Sequence, residues 1–217
     1  MYIPKPFTVV DWKEITSFVR RHPAINLVTV GKDGDLFATL LPCVWDTRDI
    51  SSGNYGTLIT HISRGNPQWK QIANGDKALA IVHGPQAYVS PTNYENKQTD
   101  HKVVPTWNYQ AIQLTGTLQV SEDHEVLRKI VTDLTNFHES SRENPWHTDE
   151  TNPDYMEAQL KGILAITMHV TKVEAKSKLS QNRSKIDQQT VSTDLANSSK
   201  LEERLIAAEM QRNLNQG

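Results

Sequence analysis

Between Thr60 and Lys70 the chain reads Thr-His-Ile-Ser-Arg-Gly-Asn-Pro-Gln-Trp-Lys. A hydroxyl, a guanidinium and an ammonium fall within one short stretch, around an Asn-Pro pair of the kind that opens a helix. Helix starts expose backbone N–H groups and a partial positive charge, and Arg64 and Lys70 can neutralise a dianion. These are the groups a phosphate monoester requires. A capped surface helix with ordinary charges would have the same local sequence.

Two further segments carry chemistry. Val104-Pro105-Thr106-Trp107-Asn108-Tyr109 places two aromatics beside an amide and a hydroxyl, which suits a planar heteroaromatic ligand through stacking and edge hydrogen bonds. Barrel core is the competing assignment for any one aromatic in a strand. Lys178-Leu179-Ser180-Gln181-Asn182-Arg183-Ser184 is dense in donors, although its composition equally describes a solvated linker. The eight histidines show no H-x-x-x-H or H-E-x-x-H spacing, so no metal site is assigned. No G-x-S-x-G elbow, P-loop or G-x-G-x-x-G occurs.

The elements that position these residues begin with a helix from Asp11, with Trp12, Ile15, Phe18 and Val19 on one face and His22-Pro23 as its stop. Ala24 to Val30 reads as a strand, Lys32 to Asp35 as a hairpin turn and Leu36 to Trp45 as the returning strand. Thr57 to Ile62 is a further strand, leading to a helix from Pro67 through Asn74 with Gly75 past its end. Lys77 to His83 and Ala87 to Ser90 read as strands separated by Gly84-Pro85, and Asn93 to Lys102 as a polar loop. Trp107 to Val120 is a long strand in which Gly116 suggests a bulge. Glu122 to His138 is a helix with Ser121 as its cap, Asp154 to Leu160 a short helix, and Gly162 to Val173 a half-buried strand. From Lys176 onward a polar linker precedes a terminal helix carrying Leu201, Leu205 and Ala208. The expected organisation is one barrel domain over 1–175 and a linker with helical tail over 176–217. The fold class is α+β, mainly β, an antiparallel barrel with inserted helices.

The 217 residues include 37% hydrophobic and 22% charged side chains with a net charge of −2, enough for one well-cored domain. A pI near 6.4 supplies no general basic field for DNA, so a regulatory DNA partner is not supported by net charge. One cysteine, Cys43, excludes an internal disulfide. With no signal-peptide layout and no long apolar run, no membrane association is expected and the expected location is the cytoplasm.

In order, Met1 to Lys5, His61 to Trp69, Gly84 to Pro91, Val104 to Tyr109, Leu160 to Ile163 and Lys178 to Arg183 resemble the PaiB family of FMN-binding transcriptional regulators. The resemblance spans nearly the whole chain and implies a split β-barrel, with FMN in a cleft between the subunits of a homodimer. It implies that Leu40 and Leu41 line the flavin, that Thr60 and His61 lie beside it, and that Arg64, Gly65 and Asn66 with Lys70 address the phosphate. Ser90, Trp107, Asn108, Gln181 and Asn182 complete the implied set and close the cleft, in part from the second subunit. The family pattern has His at the positions of Gln86 and Gln113, and Ser-Trp-Tyr at Thr92-Asn93-Tyr94. These departures replace two imidazoles and one indole, which leaves the implied fold intact and weighs against a proton-transfer role, heme ligation and some ring stacking. The functional expectation is a flavin-binding regulator or sensor. The alternatives are an FMN-dependent reductase or oxidase, in which the cofactor carries the hydride chemistry, and a heme-handling barrel.

Overall fold

The computed structural model describes residues 1–95 and 102–216, so most of the polar loop expected over Asn93–Lys102 lies outside the described residues. Seven strands form one sheet: β1 (Ala24–Val30), β2 (Leu36–Pro42), β3 (Val44–Asp46), β4 (Thr57–Ser63), β5 (Lys77–Val89), β6 (Thr106–Ser121) and β7 (Ile163–Lys178). Their order is β2-β1-β5-β6-β7-β4-β3. Five α-helices accompany them: α1 (Trp12–Arg21), α2 (His124–Glu139), α3 (Pro153–Leu160), α4 (Lys185–Ala196) and α5 (Leu201–Gln216). The class is α+β and mainly β, as expected.

The chain divides into a larger unit, 12–82 with 113–174, and a smaller one, 1–11 with 83–112 and 175–217. In the larger unit, β1 alternates so that Ile25 and Leu27 are fully buried, as are Leu58 and Ile62 of β4 and Leu164, Ile166 and Met168 of β7. Antiparallel pairing fixes the register, with Ile25 opposite both Leu41 and Val82 and Thr60 opposite Ile166. The Thr60 hydroxyl donates to the carbonyl of Pro42 at 2.6 Å, which ties β4 to the end of β2 and turns the sheet back on itself. Outside it, Leu127, Ile130 and Leu134 of α2 pack with Leu160 and Ala165.

The smaller unit has its own core, where Ala87, Val89, Tyr94 and Leu179 meet Val191 and Leu195 of α4 and Ile206, Ala207 and Met210 of α5. The stretch after Lys176 therefore differs from the linker expected of it. Lys176 to Lys178 end β7, and α4 is a helix that the sequence conceals, because Asp187, Gln188 and Ser192 share its buried side with the apolar pair.

Other differences have local causes. The strand expected over Leu36–Trp45 breaks after Pro42, which has no N–H to continue a ladder; Cys43 N–H donates to Pro23 O at 2.9 Å and Val44 then pairs with Ile59 of β4. The helix expected over 67–74 is a 3-10 turn from Pro67 to Gln71. Beyond it the side chain of Asn74 accepts from Val120 N–H at 2.7 Å and Gly75 N–H donates to Leu118 O at 2.8 Å, so the backbone serves β6. Gly84-Pro85 does not interrupt β5, because β1 pairs with it only as far as Val82 and Pro85 removes no bond from that ladder. Gly116 lies in a continuous strand and serves close approach: a Cβ there would stand 2.1 Å from the carbonyl oxygen of His169. Asp123, and not Ser121, caps α2, accepting from Val126 N–H at 3.0 Å.

Candidate functional site

In the larger unit, the expected site residues gather around a buried polar relay. Gln68 is almost fully buried; its amide donates to Leu27 O at 3.1 Å and to the Thr29 hydroxyl at 3.0 Å, while its oxygen accepts from the Thr39 hydroxyl at 2.5 Å. The Asn66 amide donates to that same hydroxyl at 2.9 Å, and its oxygen accepts from Gln68 N–H at 2.9 Å. The Asn-Pro turn is thus bolted to β1 and β2. Nothing in the sequence marks Gln68 or Thr39 as functional beyond the place of Gln68 within the Thr60–Lys70 segment.

The backbone donors expected to be free at this turn are engaged. Arg64 N–H donates to Gly162 O at 2.8 Å and Asn66 N–H to Ser63 O at 2.9 Å, and Gly65 N–H donates to the Ser63 hydroxyl at 3.2 Å. A single 3-10 turn also lacks the aligned dipoles of a helix, so anion recognition here falls to side chains. The Arg64 guanidinium donates to Lys161 O at 3.0 Å and to the Glu122 carboxylate at 2.8 Å, an ion pair open to solvent on both sides. Lys70 carries its ammonium over the Trp69 ring, 5.8 Å from the centroid.

On β4, Thr60 is fully buried and spends its proton on Pro42, whereas His61 points to the other face. The His61 Nδ1 is buried and meets no hydrogen-bond partner among the described residues, and burial holds its pKa below the ordinary imidazole value. Leu41 faces the core at 6% exposure, and Leu40 faces solvent at 67%.

The smaller unit holds the other five candidates. Trp107 is half exposed, its indole N–H donates to the Gln86 side chain at 3.0 Å, and its ring meets Tyr88 edge-on with centroids 6.2 Å apart. Asn108 is fully buried, donating to the Ser180 hydroxyl at 3.0 Å. Ser180 holds a left-handed backbone, φ +66°, at the turn where Gln181 accepts from Leu179 N–H and donates to Ser177 O, both at 2.7 Å. Asn182 is exposed. Ser90 caps the short turn after β5, accepting from Thr92 N–H at 3.2 Å. Asn93 donates to Asp194 at 2.6 Å and anchors α4. Of the thirteen candidates, Trp107, Asn182, Leu40, Lys70 and Arg64 keep surface to offer a ligand; Thr60, Asn108 and Gln181 spend their polar atoms on the fold.

Residues 1–172 match the family model described as "Putative FMN-binding domain". The chain is 34% identical to the "Protease synthase and sporulation protein PAI 2" of Bacillus subtilis over 197 residues, 91% of this chain and 90% of that protein. It is 29% identical to "Uncharacterized protein AN0679" of Emericella nidulans, over 91% of each. Among solved structures, the FAD and heme binding protein from Mycobacterium smegmatis aligns with a TM-score of 0.54 at 18% identity, over 79% of this chain and 73% of that one. The flavocytochrome Anf3 from Azotobacter vinelandii aligns at 0.53 and 13%, over 79% and 69%. These likenesses show the fold, a split β-barrel, and the sequence match over nearly the whole length shows the family: the chain belongs to the PaiB-like FMN-binding domain family.

Proposed function

We propose that this protein binds FMN as a homodimer and acts as a flavin-responsive regulator. The observation that carries the reading is Trp107: its indole N–H is already satisfied by Gln86, so what it offers a ligand is an uncommitted ring face, in a chain whose family is defined by FMN. The remaining donor set fits the cofactor. Leu40 offers apolar surface on the face of β2 opposite the Thr39–Asn66–Gln68 relay, the buried Nδ1 of His61 has no hydrogen-bond partner among the described residues, and Arg64 and Lys70 carry the charges a phosphate needs. Bound flavin would supply redox chemistry; the chain's own residues bind and orient it, with Asn66 held by Thr39. Ser90, Trp107 and Asn182 are in this reading supplied by a second copy, while Asn108 and Gln181, whose polar atoms are taken by Ser180, Leu179 and Ser177, fix the turn that carries Asn182.

The dimer has support in the larger unit, where Leu36, Leu40 and Val30 leave 76%, 67% and 56% of their surface exposed on neighbouring strands. Apolar side chains clustered this way mark an association surface. Absorbance of concentrated protein, with and without added FMN, tests the cofactor: flavin bands that co-elute with protein support the reading, and flavin eluting entirely free of protein defeats it. Steady NAD(P)H consumption by the loaded protein would replace regulation with turnover.

A further inference from the structure

The smaller unit contains three cations that the flavin reading leaves unexplained. Lys176, only 8% exposed, donates to Tyr2 O at 3.1 Å and lies over the Tyr109 ring at 4.9 Å. Lys178, next on the same side of β7, donates to the Thr106 hydroxyl and to Trp107 O, both at 2.5 Å. The Arg183 guanidinium stacks on Tyr94, 4.7 Å from the ring centre. Carbonyls, a hydroxyl and ring faces are what these charges meet at these distances. Shielded like charges close together are costly to keep. Burial first, then Lys176 and Arg183, hold the Lys178 ammonium below its ordinary pKa. Asp187, buried in the first turn of α4, acts on the Tyr94 phenol and is outnumbered.

The same place is built for binding. The left-handed Ser180 and the two bonds of Gln181 fix the turn between Lys178 and Arg183. Lys178 retains a third N–H, and an arginine stacked on a ring keeps its edge donors available for a bidentate anion. Asn182 is exposed in the middle of the turn, and α4, twelve residues long, starts just beyond it with its positive end toward Arg183 in sequence.

We propose that Lys178 and Arg183, backed by Lys176, form an anion site that takes the phosphate of a small phosphorylated molecule. Three cations match a dianion better than a carboxylate. The phosphate can come from the flavin itself, a case that rests on the proposed function and in which these cations of a second copy join Arg64 and Lys70, or from a separate phosphorylated metabolite. Full-length protein and its Lys178→Met and Arg183→Gln variants are titrated with FMN, riboflavin and inorganic phosphate at constant ionic strength, with melting curves to confirm folding. Loss of roughly tenfold or more in FMN affinity with riboflavin unchanged supports the site and assigns it to the flavin. The same loss for inorganic phosphate, with FMN unchanged, supports it and assigns a second ligand. Variants that bind all three as the parent does overturn it. Should Lys178→Met fail to fold, Arg183→Gln, at the more open end of the turn, decides alone. A parent that binds neither flavin defeats the proposed function, while the inorganic phosphate titration still judges this site.

Discussion

Arg64 is already occupied before any ligand arrives, and this changes what its removal would reveal. Glu122 competes for the guanidinium, so a flavin phosphate addressed by Arg64 must displace an exposed carboxylate, a small barrier in water. Arg64→Ala is expected to weaken FMN relative to riboflavin by about 1.5–3 kcal/mol, and Glu122→Gln to strengthen FMN relative to riboflavin, both read by fluorescence titration. Equal changes for the two flavins would show that Arg64 faces away from the phosphate. The residues that could touch a ligand were legible in the sequence because charge and aromaticity are local properties. Which of them remain available was not. Thr60, Asn108 and Gln181 look like ligand donors as letters, and only the tertiary position of Pro42, Ser180 and Ser177 shows that their polar atoms are taken.

Among the elements, α1 and β1 are readable to within a residue because their apolar spacing is clean, and α4 is unreadable because its buried side includes Asp187, Gln188 and Ser192. Gly116, where the sequence suggests a bulge, is instead a contact. Its hydrogen leaves room for the His169 carbonyl, so Gly116→Ala is expected to lose about 3 kcal/mol or more. Gly65→Ala, whose new Cβ would meet only the Ser63 hydroxyl at 3.5 Å, should stay within about 0.5 kcal/mol. Urea midpoints compare them, and equal stability would remove the packing argument. The link between α2 and α3 depends on pH. His124 donates to Glu157 at 2.5 Å, Arg128 bonds the same carboxylate, and Glu157 first, then Glu125, raise the His124 pKa. A base whose folded pKa is raised stabilises fully below its unfolded value near 6.5 and loses that contribution as pH rises through the folded value. Amide exchange in α3 should therefore quicken on going from about pH 6 to pH 8.5 by more than the intrinsic rate predicts, and His124→Gln should abolish the excess. An excess that survives in the variant would place the titration elsewhere.

For the whole molecule, the exposed strip of Leu36, Val30 and Leu40 sets the expected assembly. A stable dimer interface buries on the order of 1,200 Å² or more, and Leu36→Lys with Leu40→Asp puts charges into its proposed centre. Light scattering should report twice the chain mass for the parent and a single chain mass for the double variant, with unchanged far-UV circular dichroism. A parent that is monomeric at micromolar concentration would refute the dimer.

The division of the chain also fixes an order of events during synthesis. The larger unit is complete once residue 174 has emerged, but the smaller one is assembled from three distant pieces. Its N-terminal piece is held where Val9 N–H donates to Ala175 O at 3.1 Å and Thr8 bridges Lys176. At roughly 5–20 residues per second, Phe7, buried in the finished fold, waits on the order of ten to thirty seconds for the strand that carries Lys178 over its ring. The residues from Lys176 through α5, which follow the larger unit along the chain, are those that close this unit around its cations. A growing chain can thus shape its larger unit first, yet it acquires the Lys178–Arg183 turn only after that unit's last residue has been made.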